Sequence, residues 1–270
     1  METLLAILIF FLGAIIGSFL NVVILRYRSG KTLGGRSMCF TCGTTLSWYE
    51  LVPIGSYLTQ RGRCAHCRAP IAWQYPAVET LVGFLFVALF FRFEYLLFST
   101  PLLFGILFAY YAIVISYLVV LSVYDLRHKI LPDKLSFAFG LVAFIGMFFI
   151  SGDSLVLHLP SLSHFAAGFI LPAPFCFLWL VSKGKWMGLG DAKLMIGIGF
   201  LLGLTAGATA LLISFWMGAL VGILMLILAP LVKKRVHIKT EIPFGPFLAL
   251  GAVIVLLCRV DFQSLMMLFG

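Results

Sequence analysis

The feature that most constrains the fold is a series of long apolar runs that contain no charged residue. The runs are residues 3–25, 81–91, 95–124, 135–152, 154–182, 194–232 and 242–258. A helix that crosses a bilayer needs about 20 apolar residues, and only 11% of this chain is charged, against about 25% in soluble domains. Because backbone groups in hydrocarbon must be satisfied within each helix, the sequence predicts an all-α polytopic membrane protein.

Two of these runs have lengths that do not fit a single span. As one helix, residues 194–232 would extend about 58 Å, nearly twice the hydrocarbon thickness. We expect two helices with a turn at residues 203–207, where two glycines weaken the helix. The run at residues 81–91 is too short to cross a bilayer, so its helix must also include residues 76–80, and with them Glu79. The sequence therefore predicts about eight transmembrane helices.

The positions of the basic residues support this count. With eight spans, all 19 lysines and arginines except Arg92 and Arg259 fall on one side, which the positive-inside rule makes cytoplasmic. We therefore expect the N-terminus outside, and no cleavable signal peptide, because positive charge follows the first apolar run. The net charge of +9 is explained by this topology and by anionic lipid headgroups. The predicted partner is the lipid bilayer, and no nucleic acid is expected.

The loop between the first two spans contains two CxxC pairs, formed by Cys39 with Cys42 and by Cys64 with Cys67. This pattern is typical of a zinc ribbon, and in a reducing cytoplasm four thiolates favour zinc over disulfides. A polar loop of this size has little core, so the metal would supply much of its folding energy. An unmetallated or redox-active pair is the alternative. We expect a small cytoplasmic zinc-ribbon-like domain with structural zinc on the four cysteines.

Six of the ten acidic residues fall on the predicted cytoplasmic side, and two of these stand out by their position. Asp125 closes the run at residues 95–124, and Asp191 precedes the run at residues 194–232. The predicted topology places both at the same depth on the cytoplasmic side. Two converging carboxylates cannot both ionise easily, so they share a proton and offer a general base and a general acid together. This pairing predicts aspartic-protease chemistry at the membrane surface.

Two glycines precede Asp191 in the sequence GxGD. Without a Cβ atom, Gly188 and Gly190 would let an extended substrate approach the carboxylate and would permit the φ values of a tight helix entry. In a simpler interpretation, Asp191 only caps its helix and Asp125 pairs with a nearby basic side chain. The shared depth and side of the two aspartates favour the catalytic interpretation.

Six segments, in order, resemble the type IV prepilin peptidase family, which are bacterial membrane aspartic proteases. They are residues 17–24 (GSFLNVVI), the two CxxC pairs, residues 75–79 (YPAVE), Asp125 with residues 130–133 (ILPD), residues 188–193 (GLGDAK) and residues 243–249 (PFGPFLA). The resemblance implies a first transmembrane helix at residues 1–25, a cytoplasmic zinc-binding domain with a methyltransferase region at 26–76, and a membrane peptidase domain of about seven helices at 77–270.

The same resemblance implies an activity and a location. The enzyme would cleave the basic leader from type IV prepilins or type II secretion pseudopilins at the cytoplasmic face of the inner membrane, just before the substrate's apolar helix. Asp125 and Asp191 would be its catalytic residues. Many members also N-methylate the newly exposed residue with S-adenosylmethionine, which no composition or periodicity indicates here.

Glu50 and Glu79 are the acids of the cysteine loop and of its exit. They are candidates for methyl transfer, because a carboxylate could hold the substrate ammonium or take its proton. The simpler alternative is a solvated Glu50 and a Glu79 that caps the second helix.

Three other classes of protein share some of these features. A presenilin-like intramembrane protease also pairs a GxGD aspartate with a second aspartate, but the cysteine loop and the segment at residues 243–249 point away from it. A transporter would place ionisable residues near the midplane, whereas these acids lie near one face. In a zinc-ribbon docking protein with an inert membrane anchor, Asp125 and Asp191 would be dispensable. The sequence favours the prepilin peptidase.

Overall fold

In the computed structural model, residues 2–27, 32, 34–185, 188–228 and 243–260 are described, and most of them are helical. The helices are α1 (Glu2–Arg26), a 3-10 helix (Trp48–Leu51), α2 (Gly55–Thr59), α3 (Gln74–Ser99), α4 (Pro101–His128), α5 (Asp133–Phe149), α6 (Leu162–Ile170), α7 (Ala173–Ser182), α8 (Leu189–Leu228) and α9 (Gly245–Cys258). Strand structure in this part of the chain is limited to a hairpin of β1 (Ile150–Ser151) and β2 (Ser154–Leu155) and two isolated bridges. The predicted all-α class is confirmed.

Five helical segments among the described residues are long and apolar enough to cross a membrane. They are Glu2–Arg26, Gln74–Ser99, Pro101–His128, Leu162–Ser182, which joins α6 and α7, and Leu189–Leu228. The shorter α5 and α9 lie in the other two predicted runs. With α8 counted as two helices, helical structure occupies all eight predicted positions, so the polytopic architecture is confirmed.

The second span is longer than its charge-free run. Helix α3 extends from Gln74 to Ser99 and includes Glu79, Arg92 and Glu94. The guanidinium carbon of Arg92 lies 4.6 Å from the centroid of the Phe93 ring, a cation–π contact that lowers the cost of a cation near hydrocarbon.

Helix α8 breaks where the sequence predicts a turn. Gly203 has φ 78° and ψ −173°, a conformation open mainly to glycine. His164 of α6 donates its Nε2–H to the carbonyl oxygen of Phe200, at 3.0 Å. A break leaves carbonyls without intrahelical donors, and neighbouring side chains must satisfy them. The prediction of two helices is confirmed as far as Leu228. The end of the run at residues 229–232 and the basic loop at 233–241 lie outside the described residues.

The chain divides into two compact units, residues 1–112 and 113–270, with the boundary inside α4. In the first unit, α1 packs against α3 through Gly13 and Gly17. A Cβ atom at Gly13 would lie 2.8 Å from the Val82 carbonyl oxygen, and one at Gly17 would lie 2.9 Å from the Glu79 Cα. This is the close backbone approach that a GxxxG segment permits between membrane helices.

Helix α8 is the centre of the second unit. Gly197 faces the ring of Phe139 on α5, and Gly199 faces the backbone of Ala167 on α6. Further along the helix, the carbonyl oxygen of Ala210 would lie 2.4 Å from a Cβ atom at Gly251 of α9. Small residues thus bring α5, α6 and α9 close to α8. This packing positions the first turn of α8, which contains Asp191.

Candidate active site and candidate metal centre

Asp125 lies in the last turn of α4 and is buried, with 5% of its surface exposed. Its Oδ2 accepts a hydrogen bond from the backbone N–H of Gly245, at 3.1 Å. Gly245 is the first residue of α9, so the carboxylate faces a helix N-terminus, where free N–H groups and the helix dipole favour negative charge. A Cβ atom at Gly245 would lie 2.7 Å from the same oxygen. Only glycine therefore allows this contact without displacing the carboxylate.

Asp191 lies in the first turn of α8 and is half-buried. Gly190, the residue before it, packs against Leu131, which also packs against Gly245, the donor to Asp125, so the two aspartates that the sequence pairs lie in the same region of the second unit. Asp191 is also at a helix N-terminus, that of its own helix α8. Asp125 thus faces the N-terminus of α9 from the C-terminal end of α4, whereas Asp191 lies in the first turn of α8 itself.

Leu131 packs between Gly190, which precedes Asp191, and Gly245, which donates to Asp125. Its side chain is buried, and its Cβ would lie 2.9 Å from a Cβ atom at Gly190. Its Cδ1 would lie 3.4 Å from a Cβ atom at Gly245. Leu131 therefore packs against both the residue before Asp191 and the start of α9. Sequence reasoning placed Leu131 and Gly245 in matching segments but named no contact for either, because no local pattern reports which distant residues touch.

The two glycines of GxGD have different surroundings. Gly190 packs against Leu131, whereas Gly188 is exposed and a Cβ atom there would have only the Gly190 nitrogen, at 3.9 Å, within contact range. Neither has a positive φ, so the interpretation that they supply unusual φ values is wrong. Helix α8 begins at Leu189, and its first residues have ordinary right-handed backbone. Approach of a substrate along these glycines stays a prediction.

An ion pair lies next to this site. Lys193 Nζ donates to Asp133 Oδ1 at 2.7 Å and links the first turn of α8 to the first turn of α5. Both side chains are substantially exposed, so the pair contributes only about 0–1 kcal/mol to stability.

The four loop cysteines converge as predicted. The Sγ atoms of Cys39, Cys42, Cys64 and Cys67 all lie within 4.8 Å of one another, and those of Cys39 and Cys67 are 3.8 Å apart. Tetrahedral zinc with Zn–S distances of about 2.3 Å requires sulfurs about 3.8 Å apart. All six cysteines of the chain are free thiols. The geometry fits a metal ion better than disulfides, so the cluster could hold a metal as the sequence predicts.

Two turns with the same hydrogen bonds build this cluster, and we call residues 37–46 and 62–71 the first and second knuckle. In each, the N–H of the first cysteine donates to the carbonyl five residues later, and its carbonyl accepts from the N–H four residues later. The bonds are Cys39 N to Thr44 O, Gly43 N to Cys39 O, Cys64 N to Ala69 O and Arg68 N to Cys64 O. The residue four positions after the first cysteine has positive φ in both, 72° at Gly43 and 59° at Arg68.

Backbone N–H groups of the knuckles also shift the pKa values of the cysteine thiols. The backbone N–H groups of Cys42 and Thr41 lower the pKa of Cys39, and those of Cys67 and His66 lower the pKa of Cys64. The Ala69 N–H acts in the same direction on Cys67, but desolvation and the other three sulfurs raise its pKa to about 11. Four thiolates this close need a cation between them.

Glu79 is buried inside the first unit. Its Oε2 accepts a hydrogen bond from the Ile54 N–H at 2.7 Å, and its side chain also bonds to that of Ser18 on α1. Ile54 has φ 61°, which is rare for a β-branched residue. Glu79 lies beyond the first turn of α3 and holds this strained loop residue, so the alternative in which it caps the second helix is wrong.

Glu50 is buried as well, so the alternative of a solvated Glu50 is wrong. Its Oε2 accepts a hydrogen bond from the Ser47 N–H at 2.8 Å. Its Oε1 lies 3.7 Å from Nδ1 of His66 and has no hydrogen-bond partner among the described residues. A buried acceptor without a donor is costly, and it leaves a position for a polar or cationic group.

Known proteins resemble the chain over most of its length. The family model described as "Bacterial Peptidase A24 N-terminal domain" matches residues 11–93. The family model described as "Type IV leader peptidase family" matches residues 112–223. The first range contains the cysteine cluster, and the second contains Asp125 and Asp191.

Curated relatives carry the name "Prepilin leader peptidase/N-methyltransferase". One from Myxococcus xanthus is 35% identical and aligns over 90% of this chain and 69% of its own length. One from Xanthomonas campestris is 34% identical over 90% of this chain and 88% of its own. One from Bacillus subtilis is 31% identical over 92% of each. No solved structure matches the chain significantly.

Proposed function

The chain belongs to the type IV leader peptidase family, and we propose that it is a membrane aspartic endopeptidase that removes the leader peptide from prepilins or type II secretion pseudopilins. The observation that supports this proposal is the chain of contacts from Gly190, next to Asp191, through Leu131 to Gly245, whose N–H donates to Asp125. The names of the relatives, which mention both a leader peptidase and an N-methyltransferase, support it.

The two aspartates would share one proton. The ionised carboxylate takes a proton from a water molecule, whose oxygen attacks the scissile carbonyl carbon while the protonated carboxyl donates a hydrogen bond to the carbonyl oxygen. The C–N bond then breaks as the leaving nitrogen receives a proton from the pair. The Gly245 N–H orients Asp125 for this exchange, and the exposed Gly188 leaves open surface beside Asp191.

We place this reaction at the cytoplasmic face of the bacterial inner membrane. The segregation of the basic loops supports that orientation, with the N-terminus outside. A site at a helix end has access to water, and the scissile bond would precede the substrate's apolar helix.

Zinc is the metal we propose for the four cysteines, with a structural role, because four thiolates at this spacing form a closed tetrahedral site. A bound ion would join the two knuckles and stabilise the loop.

We also propose methylation of the new N-terminus, with S-adenosylmethionine supplying the methyl group. Glu50 and Glu79 would hold the substrate ammonium or take its proton. The unpartnered Oε1 of Glu50 supports this for Glu50, whereas the bond from Ile54 already engages one oxygen of Glu79. In Glu50→Gln, methylation should fall at least tenfold while leader cleavage continues, and mass spectrometry resolves the two products by about 14 daltons, one CH₂. Intact methylation in both Glu50→Gln and Glu79→Gln would remove these residues from the proposal.

The decisive experiment for cleavage uses Asp125→Asn and Asp191→Asn in membranes with a co-expressed prepilin. Both should lower processing by at least 1,000-fold, because neither retains the pair's shared proton. Protein level and metal content should not change. The matched control is Asp153→Asn, since Asp153 lies in the β1–β2 hairpin and pairs with Arg259, the residue that follows α9. Normal processing by either catalytic variant would refute the dyad.

A further inference from the structure

Residues 47–59 of the cysteine loop, which we call segment 47–59, expose several large apolar side chains. The segment contains the 3-10 helix and α2. The exposed fractions are 79% at Trp48, 57% at Tyr49, 44% at Val52 and 68% at Leu58. So many large apolar side chains in one short segment indicate contact with something other than water.

The packing of α1 against α3 gives the depth of Glu79 in the membrane. The apolar run at residues 3–25 is about 34 Å long as a helix, close to the hydrocarbon thickness of about 30 Å. The hydrocarbon boundary therefore lies near Arg26, the last residue of α1. Gly17, where a Cβ atom would lie 2.9 Å from the Glu79 Cα, is nine residues before Arg26 and so about 14 Å deeper. Because helical side chains lean toward the N-terminus of their own helix, the carboxylate of Glu79 lies somewhat closer to the boundary than its Cα.

Segment 47–59 reaches the depth of this carboxylate, because the Ile54 N–H donates to Glu79 Oε2 at 2.7 Å. The start of α3 is also below the end of α1. Asn21 donates to the carbonyl oxygen of Tyr75 at 3.2 Å, and Asn21 is five residues, or about 8 Å, deeper than Arg26. The polar layer of a bilayer is only about 5–8 Å thick on each side. The chain around Ile54 therefore enters this layer and approaches the hydrocarbon.

The backbone of the segment suits this depth. Non-helical backbone inside a membrane is tolerated only where its polar groups have partners. Pro53 has no N–H group, Glu79 accepts from Ile54, and the Leu58 N–H donates to the Ile54 carbonyl oxygen. A carboxylate thus lies where a loop N–H would otherwise have neither water nor a helical acceptor.

We propose that segment 47–59 inserts into the leaflet at the C-terminal end of α1, with its exposed apolar side chains in contact with lipid, and that Glu79 anchors it there through Ile54. Tryptophan and tyrosine are enriched where a membrane meets water. Trp73, the residue before α3, lies at the same level and is 76% exposed. The cysteine loop is then an interfacial domain that rests in the membrane surface.

Charge favours lipid over a basic peptide as the occupant of this surface. Glu50 is the only acidic residue between residues 47 and 73, and it is buried. The three arginines of this stretch, Arg61, Arg63 and Arg68, are exposed. Such cations are attracted to the anionic headgroups of a cytoplasmic leaflet and repel a basic leader peptide. The surface therefore fits anionic lipid better than the leader of a substrate.

The first test measures depth in the full-length protein, reconstituted in vesicles of phosphatidylethanolamine and phosphatidylglycerol. A fluorescent amino acid replaces Leu58, or Phe11, which is exposed near the middle of α1 and serves as the lipid-facing reference. A nitroxide on the lipid acyl chain should quench the fluorophore at residue 58 more strongly than iodide in the water does, as at residue 11. Stronger quenching by iodide at residue 58 would overturn the proposal.

A pair of variants tests the anchor. Glutamine at residue 79 retains an oxygen that can accept from Ile54, whereas alanine does not. In Glu79→Ala, quenching by the lipid nitroxide at residue 58 should fall at least threefold, and in Glu79→Gln it should stay within twofold of wild type. Quenching at residue 11 and metal content should not change in either variant. Equal quenching at residue 58 in both variants would remove Glu79 as the anchor.

A crosslinking measurement identifies the occupant without any change at Glu79. A benzophenone side chain in place of Leu58 should give a lipid adduct on irradiation, which mass spectrometry of the protein detects. The same experiment includes a co-expressed prepilin. Adducts with the prepilin or with a second copy of this chain, in place of lipid, would make the segment a protein-binding surface and overturn the proposal.

Discussion

The cysteine cluster and the aspartate pair both gather charge-bearing side chains, but they are assembled over very different distances in the chain. Each knuckle closes through hydrogen bonds within residues 37–46 or 62–71. The aspartate pair needs the end of α4, the start of α8 and the start of α9, and the bond from Gly245 to Asp125 spans 120 residues. One site is thus built by local turns, and the other by helix packing.

This difference predicts how each site fails. A knuckle retains its backbone pattern as long as its own turn is intact, and a metal supplies the remaining energy. The aspartate pair has no such local support. It depends on the absence of a Cβ atom at Gly190 and Gly245, and on Leu131 packing beside both.

The largest effect that would sharpen this contrast is expected from Gly245→Ala. The added Cβ would lie 2.7 Å from Asp125 Oδ2, so the carboxylate must shift. Misplacement of a catalytic group by about 1 Å can lower the rate about 100-fold, and we expect a loss of that size in prepilin processing with normal metal content. Mass spectrometry and metal analysis of the same membranes provide both readouts. Gly105→Ala is the control, because its added methyl meets nothing within 4 Å. Near-normal processing would show that Asp125 does not depend on α9.

A variant that loses the metal should show the opposite result, with low metal content but nearly normal peptide cleavage. Cys42→Ser removes one of the four ligands, so the loop should lose its metal and become sensitive to proteases between residues 34 and 73. Cleavage of a soluble peptide that spans the scissile bond should fall less than threefold, since the aspartates belong to the other compact unit. Cys258→Ser is a suitable control because Cys258 lies outside the cluster. If Cys42→Ser lowered peptide cleavage as strongly as it lowered metal content, the two sites would be interdependent.

The smallest expected effect is a change in metal affinity when equivalent positions of the two knuckles are substituted. Arg68 has the positive φ that Gly43 has at the equivalent position of the first knuckle, and a left-handed backbone costs a residue with a Cβ atom about 1 kcal/mol. Arg68→Gly should therefore raise the metal affinity of the loop about fivefold in a chelator competition, since metal binding and loop folding are coupled. Gly43→Ala should lower it by a similar factor. Lower metal affinity in Arg68→Gly, or higher metal affinity in Gly43→Ala, would show that the two knuckles are not equivalent.

Much of this protein could be predicted from properties of neighbouring residues. Long uncharged runs identify the helices because the hydrocarbon thickness sets a minimum length. The break at Gly203 followed from a run that is too long for one span. The CxxC pairs identified the cysteine cluster because each pair forms its own turn. Depth and sidedness also brought Asp125 and Asp191 together as a hypothesis, since both lie at helix ends.

Other features were visible only after packing. The alternatives for Glu50 and Glu79 assumed solvent or a helix cap, whereas both side chains are buried and bonded to loop backbone. The GxGD glycines were expected to supply unusual φ values, whereas Gly190 makes room for Leu131. In both cases the deciding neighbour is distant in sequence or invisible to a local pattern.

By itself, the sequence determined that this chain is a polytopic helical membrane protein with a four-cysteine cluster and two aspartates at helix ends. Those properties depend on hydrophobicity and spacing, which are summed over adjacent residues. Only the tertiary structure decided that Gly245 orients Asp125 and that Leu131 packs against both Gly190 and Gly245. These features depend on which helix faces touch, and close packing makes that choice through atoms far apart in the chain.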